Sequence, residues 1–246
     1  MKILNIEVHC FTNKNPTITN NDAYKIMEEL KEFELFPQVF QDVAPTGIQE
    51  QRFMFTNGVT GLTIRCQRDR LILVHASNPN VETSDLNNLH DILSKLKSVM
   101  KKFIETLNML FSKEHKFHRL AIVTRHIELE KYDQLYSRLD ESTAQNLPWI
   151  ESKTNELSLR MCHRFEAESE IFNSVTTIND GMIDAVSNTG LSISASPCIL
   201  FEVDINTLPE NIGERFDINN YDKYQTLLIE KQANTLSKVK KFIEGN

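Results

Sequence analysis

Glycine is scarce in this chain, and the glycine-rich motifs that build phosphate cradles are missing from its sequence. Seven glycines occur among 246 residues. None of them forms a GxGxxG pattern, a P-loop or a GxSxG turn. A tight backbone cradle for phosphate needs glycine, because a side chain would block the close approach of the ligand. The sequence therefore argues against nucleotide-dependent enzymes.

Paired cysteines and long apolar runs are missing as well. The four cysteines, at positions 10, 66, 162 and 198, are widely spaced and form no CxxC pair. This spacing predicts reduced core residues of a cytosolic protein. The apolar part of the first residues is too short for a signal peptide, and no window of about 18 apolar residues occurs. We therefore expect a soluble, cytoplasmic protein without a membrane segment.

The charge balance is mildly acidic, with 27 lysines and arginines against 34 aspartates and glutamates and a net charge of −7. The basic residues are scattered, so the sequence indicates no face suited to a polyphosphate backbone, and nucleic-acid binding is disfavoured. Hydrophobic residues make up 40% of the chain. At this length they predict an ordinary globular protein with a sizeable core.

Alternation of apolar and polar residues marks the strands most clearly between residues 51 and 77. Leu62, Ile64 and Cys66 alternate with polar neighbours, which is typical of a half-buried antiparallel strand. Apolar runs before and after it, separated by glycines and by a polar turn, predict a three-stranded meander. The same alternation recurs at 157–165 and at 198–205.

Two stretches carry apolar residues at helical spacing over many turns. They predict amphipathic helices at 84–111 and 220–244, and a shorter helix begins near Asn21 or Asp22, either of which can cap it. No internal repeat is evident in the sequence. Runs of strands beside runs of helices predict an α+β fold, a largely antiparallel sheet packed against two long amphipathic helices. We expect an N-terminal half at 1–141 and a β-rich C-terminal half at 142–246, or one intimate domain.

Two groups of acidic residues on predicted strands are candidates for chemistry. Glu166 and Glu168 alternate on one strand, and Glu202 and Asp204 alternate on another. Paired carboxylates can hold Mg²⁺ or divide acid and base roles, as in a metal-dependent nuclease or hydrolase. The alternative is the solvated face of an antiparallel sheet.

A second candidate is a group of histidines beyond the first long helix. His115 and His118 are three residues apart, and His126 follows eight residues later. A zinc site needs three or four converging ligands, so this group is a candidate if the fold brings its members together. The alternative is a polar turn with solvent-facing imidazoles. The sequence favours neither a metal nor a cofactor.

Several short motifs, in order along most of the chain, resemble those of a known family. They are Phe36-Pro37, Arg52-Phe53, the segment LTIRCQRDRL at 62–71, Arg125-His126-Ile127, and FEVDI at 201–205. In these motifs the chain resembles a family of sporadically distributed, uncharacterised bacterial proteins encoded near mobile elements or defence genes. Members usually carry an aromatic residue where this chain has His126. The resemblance implies no catalytic residues.

Two functions follow as hypotheses. The first is a non-enzymatic binding or regulatory subunit of a bacterial multi-protein system, with a place in anti-phage defence. It would act with a protein partner or as a homo-oligomer, because its long apolar stripes exceed what one sheet covers. The second is the metal-dependent hydrolase or nuclease built on the carboxylates or histidines named above.

Overall fold

The structure is a computed structural model that describes residues 1–43, 47, 49–76, 88–146, 158–186 and 192–244. These residues form nine strands and four helices. The strands are β1 (Lys2–Phe11), β2 (Phe36–Val43), β3 (Gln49–Asn57), β4 (Leu62–Cys66), β5 (Arg70–Ala76), β6 (Arg119–Glu128), β7 (Ser158–Ala167), β8 (Glu170–Val186) and β9 (Ser192–Thr207). The helices are α1 (Asn20–Glu29), α2 (Leu89–Phe111), α3 (Tyr132–Asn146) and α4 (Ile218–Glu244).

All nine strands belong to one sheet, in the order β2-β3-β4-β5-β1-β6-β9-β8-β7. Every neighbouring pair is antiparallel. The predicted α+β fold with a largely antiparallel sheet is therefore confirmed. The sheet is the dominant element, with four helices of different lengths rather than two long ones alone.

The order of elements repeats along the chain. The first half reads strand, helix, four strands, helix, and the second half reads strand, helix, three strands, helix in the described residues. Counted outward from the central pair β1 and β6, the first half runs β5, β4, β3, β2 and the second β9, β8, β7. The halves meet between α2 and β6. The boundary predicted at residue 142 lies inside α3.

Strand prediction succeeded where alternation was strong and missed one strand. The meander is present as β3, β4 and β5. No strand was predicted for the segment Phe36–Val43, yet it forms the edge strand β2. An edge strand tolerates Pro37, because the missing N–H can face away from the ladder.

Helix boundaries shifted by a few residues. The cap of α1 is Thr19, so the prediction of Asn21 or Asp22 was wrong. The Thr19 hydroxyl accepts a hydrogen bond from the backbone N–H of Asp22, whose carboxylate accepts one from the Thr19 backbone in return. The predicted helix at 84–111 is present from Leu89, and residues 84–87 of that prediction lie outside the described part of the chain.

One hydrophobic core joins both halves beneath the helices. It contains Ile6 and Val8 of β1, Phe103 of α2 and Leu228 of α4, each almost completely buried. A smaller cluster packs α3 and the end of α4 on the second half, with Phe201 of β9 at its centre. Three cysteines are buried as predicted, but Cys162 on β7 is exposed. None of the described helices is long and apolar enough to cross a membrane.

Candidate functional site

One face of the sheet carries no helix in the part of the chain that the structure describes. The hydrophobic residues through which the helices pack, such as Ile6 and Val8, point to the other face. Side chains alternate along a strand, so Glu7 and His9 point away from the helices. We call this side of the sheet the uncovered face. Its centre, on β1, β6 and β9, carries a connected group of charged side chains.

An ion network ties the three central strands together on this face. The Nε of Arg125 on β6 donates to Glu202 on β9 over 2.7 Å, and its second nitrogen donates to Glu7 on β1 over 2.5 Å. The Asn5 side chain also contacts both Arg125 and Glu7. This network holds groups from both halves of the chain in fixed positions.

Glu7 stays ionised even though its side chain is largely buried. The imidazole of His9 lies 2.9 Å from its second carboxylate oxygen. That hydrogen bond and the contacts with Arg125 lower the pKa of Glu7 to about 2, against the opposing effect of burial. The carboxylate therefore carries a full charge at neutral pH.

Asp204 lies next to this network in a more apolar setting. Its register partners are Val123 on β6 and Val175 on β8, which offer it no hydrogen bond. Burial raises the pKa of Asp204, although the side-chain amide of Asn206 donates to its carboxylate over 2.9 Å. Any further hydrogen-bond donor or cation brought to the face would therefore stabilise the ionised form of this carboxyl group.

At one end of the uncovered face, two arginines flank an aromatic ring. Phe11 pairs in register with Arg70 on one side and Arg119 on the other. Their guanidinium carbons lie 5.3 and 4.7 Å from the ring centroid, and the His9 ring stacks on Phe11 at 5.7 Å. Such cation–aromatic contacts hold the guanidinium groups in place.

Arg119 has unused hydrogen-bonding capacity. Within the described residues no carboxylate lies at ion-pair distance from Arg119, whereas Arg70 contacts Asp69 at 3.3 Å. The Nε of Arg119 and the Nδ1 of His9 are buried and have no hydrogen-bond partner among the described groups. Burial lowers the pKa of Arg119. This end of the face therefore offers the positively charged guanidinium of Arg119 to an incoming anion.

The predicted carboxylate candidates do not come together. Glu202 and Asp204 lie on the uncovered face of β9, as described above. Glu166 pairs with Ile171, whereas Glu202 pairs with Thr177, six residues further along β8. That offset is about 20 Å along the strand direction. Glu168 lies in the β7–β8 turn and forms an ion pair of 2.7 Å with Lys223 of α4.

The predicted histidine group is also spread out. The buried His115 lies beyond the end of α2, where its ring contacts the Asn108 side chain at 2.8 Å. His118 precedes β6, and His126 lies near the other end of that strand, about 26 Å away at the usual rise per residue. His126 is buried against the Thr124 hydroxyl. Among the described residues, no group of three or more histidines, cysteines or acids is arranged to hold a metal.

The central residues of the face were missed as a group by sequence reasoning. The alternation of Asn5, Glu7 and His9 with apolar neighbours shows that they share one side of β1. It does not show that Arg125 and Glu202, far along the chain, occupy the neighbouring strands. The sequence therefore indicated which residues of β1 share this face. It did not indicate which residues of the neighbouring strands contact them.

Comparisons with protein-family models, curated proteins and solved structures found no match to this chain. The resemblance to a defence-associated bacterial family stays a prediction. Arg125 and Glu202, which lie in two of the motifs named above, form an ion pair between β6 and β9.

Proposed function

We propose that this chain is a non-enzymatic binding or regulatory subunit that recognises an acidic segment of a partner protein on the uncovered face of its sheet. The observation that carries the proposal is Arg119, a partly buried guanidinium that stacks on Phe11 and has no ion-pair partner among the described residues. The ion network of Arg125, Glu7 and Glu202 lies further along the same face and links the central strands.

The energetics favour an anionic partner at this position. A guanidinium that has lost part of its hydration gains most from a carboxylate, because charge-assisted hydrogen bonds are about twice as strong as neutral ones. Arginine and aromatic residues dominate the affinity of protein interfaces. Arg119, Phe11 and Arg70 form such a group in one row of the sheet. A side-chain carboxylate of a partner complements the charge of Arg119.

The biological setting is proposed on the resemblance alone. A subunit of a bacterial defence system should reduce phage plaque numbers when expressed with its neighbouring genes. The variant Arg119→Met should restore plaques if the uncovered face is the working surface. Unchanged plaque numbers with the wild-type system would contradict the defence setting without affecting the binding proposal.

The direct test is co-purification from the native host, followed by size-exclusion chromatography with light scattering. We expect a complex or homo-oligomer with the wild type and its loss in Arg119→Met, which keeps the aliphatic stem on Phe11 but removes the charge. Arg160→Met is the matched control, since Arg160 is an exposed arginine on β7 of the same sheet. A monomer without a partner, or equal complex formation by all three proteins, would contradict the proposal.

The hydrolase or nuclease hypothesis is tested separately. Calorimetric titration with Mg²⁺, Mn²⁺ and Zn²⁺ should show no binding that depends on Glu202 or Asp204 if the chain is a binding subunit. Metal binding that disappears in the double variant Glu202→Gln, Asp204→Asn would replace the proposed function with the enzymatic one.

A further inference from the structure

An apolar groove lies on the helix side of the sheet, away from the uncovered face. It runs between α4, α3 and the strands β7 and β8, and has a volume of about 470 Å³. Its apolar lining comes from both the sheet and the helices. These residues are Leu159, Met161, Ile178, Phe201, Val239 and Phe242. Met161 is 54% exposed in the described structure, which is unusual for a methionine on the helix-facing side of a sheet.

The charge of the groove is opposite to that of the chain. Among the described residues its lining includes Lys231 and Lys238 and no aspartate or glutamate, although the whole chain carries a net charge of −7. The ammonium of Lys231 lies 4.1 Å from the ring centroid of Phe165, at the edge of the same surface. The groove therefore combines an apolar floor with a cationic rim, and it complements a ligand that is apolar on one side and acidic on the flanks.

The first half of the chain shows what covers the corresponding strand. β3 and β7 are both the fourth strand from the centre of their half. In the first half, Phe55 of β3 is completely buried in a core that includes Ile26 of the amphipathic helix α1, which contacts α2 and β2. Helix α3, the counterpart of α1 in chain order, instead contacts mainly β9. The strip on β7 is left without such a helix in the described residues.

A lysine has the same ordinal number in both long helices. Lys102 is the fourteenth residue of α2, and its ammonium lies 3.7 Å from the carboxylate of Glu29 on α1. Lys231 is the fourteenth residue of α4, the counterpart of α2. Within the described residues Lys231 contacts no carboxylate at ion-pair distance. A helix lying in the groove as α1 lies against α2 would bring an acidic residue to it.

We propose that this groove docks an acidic amphipathic helix from a partner protein, with its apolar stripe on Met161 and Val239 and its acidic flank on Lys231 and Lys238. Helix-in-groove recognition reads apolar anchors at steps of three and four residues. The proposal rests on the proposed binding function but uses the opposite side of the sheet from Arg119. An experiment can therefore contradict either of the two proposals without contradicting the other.

The test uses a fluorescently labelled peptide of about 16 residues, designed as a helix with leucines on one stripe and glutamates on both flanks. A matched peptide carries lysines in place of the glutamates. We expect the acidic peptide to bind the full chain in fluorescence anisotropy and the basic peptide not to bind. Met161→Asp and Lys238→Glu should each weaken binding about tenfold or more, which corresponds to about 1.4 kcal/mol.

Matched controls separate the groove from general surface effects. Met109→Asp changes a methionine of similar exposure on α2, and Lys25→Glu changes a lysine on α1. Both should leave the affinity unchanged. Circular dichroism must show that each variant is folded.

Three results would overturn the proposal. The basic peptide could bind as well as the acidic one, or the control variants could lose affinity equally. Dodecanoate could also bind in a way that depends on Met161 while the acidic peptide does not, which would assign the groove to a small amphiphile instead.

Discussion

The two halves of this chain use the same order of elements but cover their outer strands differently. Phe55 on β3 is completely buried, and its ring lies 5.7 Å from that of Phe103 on α2. Met161 on β7, at the corresponding place in the second half, is more than half exposed. The difference comes from the small helices, because α1 packs against α2 whereas α3 packs towards β9. A strip that one half buries is thus exposed in the other, as far as the described residues show.

The largest expected difference is in the free energy of unfolding between alanine variants of these two residues. Phe55→Ala should lower the free energy of unfolding by about 3–5 kcal/mol, because it leaves a cavity in a well-packed core. Met161→Ala should change it by less than about 0.5 kcal/mol, since the side chain is largely solvated in the free protein. Urea denaturation of both variants measures the difference. Similar losses for the two variants would mean that the strip on β7 is covered in solution.

The second largest expected effect is on the pH dependence of stability, and it comes from His126. Burial, and to a smaller extent the nearby terminal ammonium, lower its pKa from 6.5 to about 4. The unfolded chain therefore binds a proton more readily, so this residue lowers stability as the pH falls from 6.5 towards 4. The loss over that range is about 3 kcal/mol.

The variant His126→Gln should flatten this part of the stability profile, measured by urea denaturation at several pH values between 4 and 6.5. His163→Gln, which changes an exposed histidine on β7, is the matched control. If both variants kept the wild-type slope, His126 would not be the group that titrates.

A third comparison concerns the two long helices. Phe103 is the fifteenth residue of α2 and Gln232 the fifteenth of α4, and both are completely buried. The Gln232 amide donates to the Thr124 hydroxyl over 2.6 Å and to the carbonyl of Val203 over 3.0 Å. Gln232→Leu should cost about 1–3 kcal/mol, because it removes the donor from buried acceptors.

The control for Gln232 lies two turns earlier on the same helix. Gln225 is equally buried, but its amide atoms have no hydrogen-bond partner among the described residues. Gln225→Leu should be neutral or stabilising in thermal denaturation. A loss for Gln225→Leu as large as that for Gln232→Leu would show that packing, not hydrogen bonding, decides both.

The smallest expected change in the free energy of unfolding is for a substitution where the two halves meet. Arg125→Met removes the ion pairs with Glu7 and Glu202 but should cost no more than about 1 kcal/mol, because Arg125 is 39% exposed and screened by solvent. Carbon-13 NMR titration should also show the pKa of Glu7 moving up towards its ordinary value. A loss of several kcal/mol would mean that this network holds the halves together.

The fold was predictable where local pattern decides it. Alternation identified β4, and helical spacing identified α2 and α4 within a few residues. The edge strand β2 was missed because both of its faces are largely solvated, so it has little apolar pattern. The uncovered face was only half predictable, because alternation assigns Glu7 to a face but says nothing about the strand beside it.

Sequence alone determined which side chains share a strand face or a helix stripe, since the backbone periods of two and 3.6 residues fix that locally. The tertiary structure decided which faces meet. The register between β1 and β6, about 120 residues apart, brings Arg125 to Glu7. The placement of α3 over β9 leaves Met161 uncovered, although nothing in the local pattern of β7 distinguishes it from a strand inside a core. Both the contact between Arg125 and Glu7 and the exposure of Met161 depend on long-range packing, because they are set by which separate elements pack against each other.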